Sequence, residues 1–227
     1  NTKNQNTSMK YIFAFIIASI VFISCVEPIN KSYTKLPPGI WRGVLVVDEK
    51  PVIQKQGEEF VEKTDFSGEL PFTFEVKYTS EEEFYIEIHN GEERIKVTDI
   101  VYGRDRATAK DTIEIHFRDF DTYISAIYED DIMEGYWHVN YKVGYTIPFK
   151  GYFGKDHRFS TLRQEPTADL SGRWEVKFES GTEDEYPAIG DFVQDGNHLT
   201  GTFMTETGDY RYLEGTVQAN KFSLSTF

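Results

Sequence analysis

A chain of 227 residues, 39% hydrophobic and 15% aromatic, carries enough apolar material for one large or two small packed cores, which excludes a disordered polypeptide. Its 24 Lys and Arg against 38 Asp and Glu leave a formal charge of −14, a field that repels phosphate backbones and excludes nucleic acid as an expected partner. The single cysteine, Cys25, rules out an internal disulfide, a Cys-x-x-Cys redox pair and a thiolate zinc cluster, so any role it has is solitary.

The N-terminal elements supply such a role. Residues Asn1 to Ser8 are polar and precede Met9, the expected start; Lys10 then gives a short positive region, and Tyr11 to Ser24 is an uncharged apolar run. That run has the length of a signal-peptide core and falls short of the roughly 17–25 apolar residues a spanning helix needs. It ends in Phe22-Ile23-Ser24-Cys25, which resembles a lipobox, with Phe22 in place of the usual leucine and a small residue before the cysteine. Residues 1–24 are therefore expected to be leader and signal peptide, with Cys25 as the lipidation site. The mature protein would be held at a membrane by the buried methylenes of its acyl chains, in the envelope of a Gram-negative bacterium, facing periplasm or cell surface. Residues 25–38 contain three prolines without periodicity and read as a tether.

From Gly39 onward the period is two, the period of strands. Phe74 and Val76 alternate with Glu75 and Lys77, and Phe84, Ile86 and Ile88 with Tyr85, Glu87 and His89. Ile113, Ile115 and Phe117 continue the pattern, as do Trp174, Val176 and Phe178. Asn90-Gly91, Asp195-Gly196-Asn197 and Gly208-Asp209 are hairpin-turn sequences. With no helical periodicity after Cys25, the expected fold is all-β: two consecutive antiparallel sandwich or barrel units, lipocalin-like, over 39–155 and 172–227, joined by a linker at 156–171.

The two units share signals. Gly39-Ile40-Trp41 opens the first and Gly172-Arg173-Trp174 the second, so both tryptophans are expected in the core. Met133-Glu134-Gly135-Tyr136-Trp137 resembles Leu199-Thr200-Gly201-Thr202-Phe203, and Leu213-Glu214-Gly215-Thr216-Val217 is a looser copy; a glycine at such a place suits a tightly coiled strand under a neighbouring ring. If the units are repeats, the second is incomplete at Phe227 by roughly 40 residues.

No catalytic constellation emerges. His89, His116, His138, His157 and His198 are scattered without a His-x-His or His-x-x-x-His pair, so neither a metal nor a cofactor is expected. Strand alternation places His116 and Asp119 on opposite faces. The runs Glu81-Glu82-Glu83 and Glu183-Asp184-Glu185 lack the spaced oxygens and central glycine of a calcium loop and read as solvated turns. The surplus of 18 Phe, 14 Tyr and 3 Trp is core filling or, as an alternative, the lining of a ligand cavity.

Ser171-Gly172-Arg173-Trp174-Glu175-Val176, Phe192-Val193-Gln194-Asp195-Gly196-Asn197, Leu199 to Phe203 and Gly208-Asp209-Tyr210-Arg211 together resemble the N-terminal β region of exported lipoproteins of the TlpA/ResA disulfide-reductase type. In that family a thioredoxin-fold (redoxin) domain follows the β region and carries the Trp-Cys-x-x-Cys chemistry. The resemblance implies a non-catalytic, membrane-anchored part of a thiol–disulfide oxidoreductase, with a downstream thioredoxin-fold domain and protein substrates as partners. It carries no catalytic residue onto this chain. The alternative is a stand-alone lipocalin-like binding lipoprotein of the envelope.

Overall fold

Strict alternation of apolar and polar residues, broken by glycine turns, produces strands and short connections throughout the described part of the chain. The structure, a computed structural model, describes residues 35–47 and 68–227. The signal sequence and Cys25 lie outside the described residues, as does residues 25–34 of the expected tether. Among the described residues no helix is long and apolar enough to cross a membrane, and the helical content is one 3-10 turn, Arg118–Phe120. The expected all-β fold is what forms, as two curled antiparallel sheets.

The first sheet holds β1 (Gly39–Val46), β2 (Glu69–Tyr78), β3 (Phe84–Asn90), β4 (Glu93–Val97), β5 (Ile100–Arg104), β6 (Asp111–Phe117), β7 (Thr122–Glu129), β8 (Ile132–Val139) and β9 (Thr146–Phe153). Its order, β4-β3-β2-β1-β9-β8-β7-β6-β5, is a meander closed where β1 pairs with β9. The two edge strands, β4 and β5, are neighbours in sequence, joined at Thr98-Asp99, so the sheet curls until its edges meet at a corner. The alternating residues converge inside: Trp41, Phe74, Val76, Ile86, Ile88, Ile113, Ile124, Met133 and Phe149 are all buried. Trp41 stacks on Phe74 with ring centres 6.0 Å apart and lies 5.3 Å from Phe153. The cavity among Phe72, Phe74, Ile86, Ile115, Phe117 and Phe149 is ≈ 10 Å³, barely the room of one water molecule. The interior is packed with side chains. Leu36, within the stretch read as tether, is fully buried in this core, so packing begins ahead of β1.

The second sheet is a five-stranded meander of β10 (Gly172–Phe178), β11 (Tyr186–Asp195), β12 (His198–Thr205), β13 (Gly208–Gln218) and β14 (Lys221–Ser225). Its buried core is small: Phe192, Leu199, Leu213 and Val217. The sheets pack in one compact unit, and Phe227 leaves β14 to enter the first core, its ring 5.0 Å from Phe72 and 5.5 Å from both Phe117 and Trp137.

Curling at this radius needs places where strands approach without a side chain between them. A Cβ on Gly135 would sit 1.9 Å from the Ser125 carbonyl oxygen, and one on Gly215 1.8 Å from that of Ser223. At Gly201 the obstacle is the Phe192 ring, 2.2 Å away, which lies flat over the glycine as Phe72 lies over Gly43. The three apolar-x-Gly sequences thus meet one constraint, close approach of a neighbouring strand or ring.

Trp174 corrects an expectation. Both tryptophans make the same local contact, the indole Nε1–H donating to the carbonyl four residues back: Trp41 to Pro37 at 3.2 Å and Trp174 to Leu170 at 2.8 Å. Trp41 is fully buried, whereas Trp174 is 46% exposed. The reason is tertiary: β1 lies between β2 and β9 and faces a full core, while β10 is an edge strand of an open sheet. Trp41→Ala should therefore lower unfolding stability by about 3–5 kcal/mol and Trp174→Ala by only about 1–2 kcal/mol in urea titrations. Gly135→Ala, which drives a methyl group into backbone, should cost about 3 kcal/mol or more by the same measurement, while Gly135 itself is the sole position changed.

Candidate functional site

Two groups of polar side chains stand out against the apolar cores. The first lies where the sheets meet. The connection between β9 and β10 carries Arg158, whose side chain is 5% exposed. Its Nη1 donates to the Ser225 carbonyl at 3.1 Å and hydroxyl at 3.0 Å, and its Nη2 to the His89 carbonyl at 2.7 Å. Its Nε lies 3.3 Å from Glu214 Oε2, an ion pair without the alignment of a hydrogen bond. Burial pushes the Arg158 pKa down, opposed by the Glu214 carboxylate; a guanidinium stays charged all the same. Around it, the Ser225 hydroxyl donates to the Pro71 carbonyl at 2.7 Å, and the buried Asn90 Oδ1 accepts from the Phe227 amide at 2.9 Å and the Thr226 hydroxyl at 3.0 Å. The linker expected at 156–171 therefore holds a buried charge that joins β3, β13 and β14.

Beside this junction opens a cleft of ≈ 560 Å³ whose walls include Thr73, His157, Arg163, Asn197, His198 and Glu214. The His198 ring pairs with Glu214 at 3.0 Å, so Glu214 bridges an imidazole at the mouth and the guanidinium beneath. The lining mixes both charges, with Asp156 and Asp195 beside Glu214, and of these carboxylates Glu214 is engaged by Arg158 and His198, which ties the cleft to the junction.

The second group is on the outer face of the β2–β3 hairpin. Glu75 and Glu87 are cross-strand partners, and His89 follows Glu87 by two, which puts all three on one face. Their ligating atoms lie within 4.8 Å of one another, and the His89 Nε2 is 3.9 Å from Glu75 Oε2. Lys77 reaches between the carboxylates, 2.5 Å from Glu87 and 3.1 Å from Glu75. The hydrogen bond from Lys77 holds the Glu87 carboxyl below its usual range, and burial, aided by the Arg94 guanidinium, pushes the His89 imidazole below the ordinary histidine range. Sequence reasoning missed this group because it looked for histidine pairs along the chain. The signal was Glu87-x-His89 in a strand, plus the register that brings Glu75 opposite.

The remaining candidates disperse. His116 contacts Glu114 at 3.2 Å, and β6 ends at Phe117, leaving Asp119 in the 3-10 turn. His138 accepts or donates to Ser125 at 2.8 Å and stacks on Tyr123 with ring centres 4.3 Å apart on the outer sheet face. In the two acidic runs, the Glu83 amide donates to the Ser80 hydroxyl at 3.1 Å and Glu185 accepts from Lys177 at 2.8 Å and the Gly181 amide at 3.0 Å. These are turn-stabilising contacts. No family model and no curated protein matches this chain.

The junction has a direct test. Arg158→Ala leaves Glu214 and the His89 carbonyl without their buried partner and should lower stability by about 3–5 kcal/mol. In a double-mutant cycle with Glu214→Ala the two losses should be clearly less than additive, as read from chemical unfolding midpoints.

Proposed function

We propose that this chain is the membrane-anchored, non-catalytic β region of an exported TlpA-like thiol–disulfide oxidoreductase lipoprotein, attached through lipid on Cys25 and acting as a rigid scaffold for a thioredoxin-fold domain. The observation that carries the structural side of this reading is the filled first barrel. A container for an apolar ligand needs roughly 300–1,000 Å³ of lined space, and the void among the inward rings is ≈ 10 Å³. This disfavours the alternative of a stand-alone lipocalin-like binding protein, whose ligand would have to occupy that interior. The lipobox-like Phe22 to Cys25 and the strand-and-turn sequences of the second unit support the anchor and the family reading respectively. The second sheet adds a rigidly placed, partly exposed aromatic face, with Trp174, Phe178, Phe203 and Tyr210 on neighbouring strands, of the kind another domain or a protein substrate can cover.

Two measurements test it. In cells fed a palmitate analogue, the wild-type chain should take up label and partition with membranes, and Cys25→Ala should do neither; equal labelling would remove the anchor. The gene should encode a Cys-x-x-Cys domain in frame after Phe227, and deleting residues 39–227 from that complete product should spare reduction of a small-molecule disulfide while slowing reduction of protein disulfides. A complete gene product without such a domain overturns the oxidoreductase assignment.

A further inference from the structure

The Glu75, Glu87 and His89 group is built differently from the other charged surfaces of this protein. Antiparallel pairing fixes the Cα positions of Glu75 and Glu87 directly opposite each other, and the pleat brings His89 to the same face. The strands beneath are held on both sides, β2 between β1 and β3 and β3 between β2 and β4, while the His89 carbonyl is pinned by Arg158 at 2.7 Å. The side chains are partly sheltered, at 31%, 19% and 20% exposure, yet open to solvent on one side.

Metal–nitrogen and metal–oxygen bonds of about 2.0–2.2 Å in a tetrahedral set place ligand atoms about 3.3 Å apart. The 3.9 Å between His89 and Glu75, and the 4.8 Å bound for the whole group, are within small side-chain adjustments of that value. We propose that Glu75, Glu87 and His89 form a binding site for a divalent transition-metal ion of the Zn²⁺ class, with Lys77 as the displaceable cation that occupies the position otherwise. One nitrogen and two carboxylates make a mixed donor set; imidazole favours Zn²⁺ and its neighbours over Ca²⁺ and Mg²⁺, which take oxygen shells. Three protein ligands leave a coordination position open to water or to a donor from another molecule. The Lys77 ammonium already sits 2.5 and 3.1 Å from the two carboxylates, which marks where positive charge is stabilised, and its flexible stem, 33% exposed, can swing into solvent when an ion arrives.

Titrating the purified full chain with Zn²⁺ in a calorimeter tests the site. One equivalent should bind saturably, and His89→Gln or Glu75→Gln should weaken binding by at least about tenfold, as loss of a direct ligand exceeds the usual effect of losing a supporting contact. Lys77→Gln, which removes no ligand, should tighten binding about three- to tenfold by freeing the carboxylates. It also keeps the test decisive where a ligand variant fails to fold. His198→Gln should change nothing. Absence of saturable binding, wild-type affinity in His89→Gln, or no tightening in Lys77→Gln overturns the proposal, and binding lost only in His198→Gln relocates the metal to Glu214 and equally overturns it.

Discussion

Arg158 places a guanidinium between two sheets at a point almost closed to water, and a charge there is tolerated only if its donors are met. Desolvating an ion costs several kcal/mol unless well-placed partners offset it. The partners come from two places far from Arg158 in sequence: the His89 carbonyl of β3, and Glu214 and Ser225, which face each other across the β13–β14 hairpin. Because each must be in position at once, the guanidinium sets how the second sheet is seated on the first. The Arg158 carbonyl in turn accepts from Arg42 Nε at 2.9 Å, tying the same segment to β1. Ser225, held between Arg158 and the Pro71 carbonyl, then directs Thr226 and Phe227 to Asn90 and the open end of the first core.

The corner at Asn90-Gly91 shows how backbone shape serves this junction. Gly91 adopts φ 57°, the left-handed conformation that an Asn-Gly hairpin turn requires, and a Cβ there would be 3.3 Å from the Tyr212 backbone. Tyr212 itself sits at φ 58°, a conformation rare for a bulky residue, next to the point where the pairing of β12 with β13 slips. The bulge turns β13 so that the Arg211 carbonyl meets the Thr226 hydroxyl at 2.8 Å. Local strain on one strand and a turn on another are thus matched across the interface.

A packed barrel and a pinned hairpin also explain why polar chemistry is found outside the sheets and not within. Among the described residues the interior of the first unit is occupied by rings and branched chains, and the carboxylate–histidine group stands on outward-facing strand positions. There, register replaces the cavity wall: Glu75 and Glu87 are fixed by pairing, and the carbonyl bond at His89 steadies the strand that carries the imidazole. The same constraint that joins the units therefore supports the carboxylate–histidine group.

Much of the fold was legible in the chain because strand alternation is a local signal. Phe74, Val76, Ile86, Ile88, Ile113 and Ile115 read as inward from their period alone and are buried. The glycines of the apolar-x-Gly sequences were likewise readable as sites of close approach, since a missing side chain in a strand has few other uses. The Gly-led strand entries at Trp41 and Trp174 were read as alike, and each indole does reach the carbonyl four residues back. What the sequence left open were quantities set by partners distant along the chain. Trp174 is exposed because the sheet edge beside it is open, Arg158 is buried because three remote strands converge on a segment that looked like a spacer, and Glu75 meets His89 only through the hairpin register. Burial and pairing of this kind depend on which surfaces face each other in space, and a period of two does not encode that.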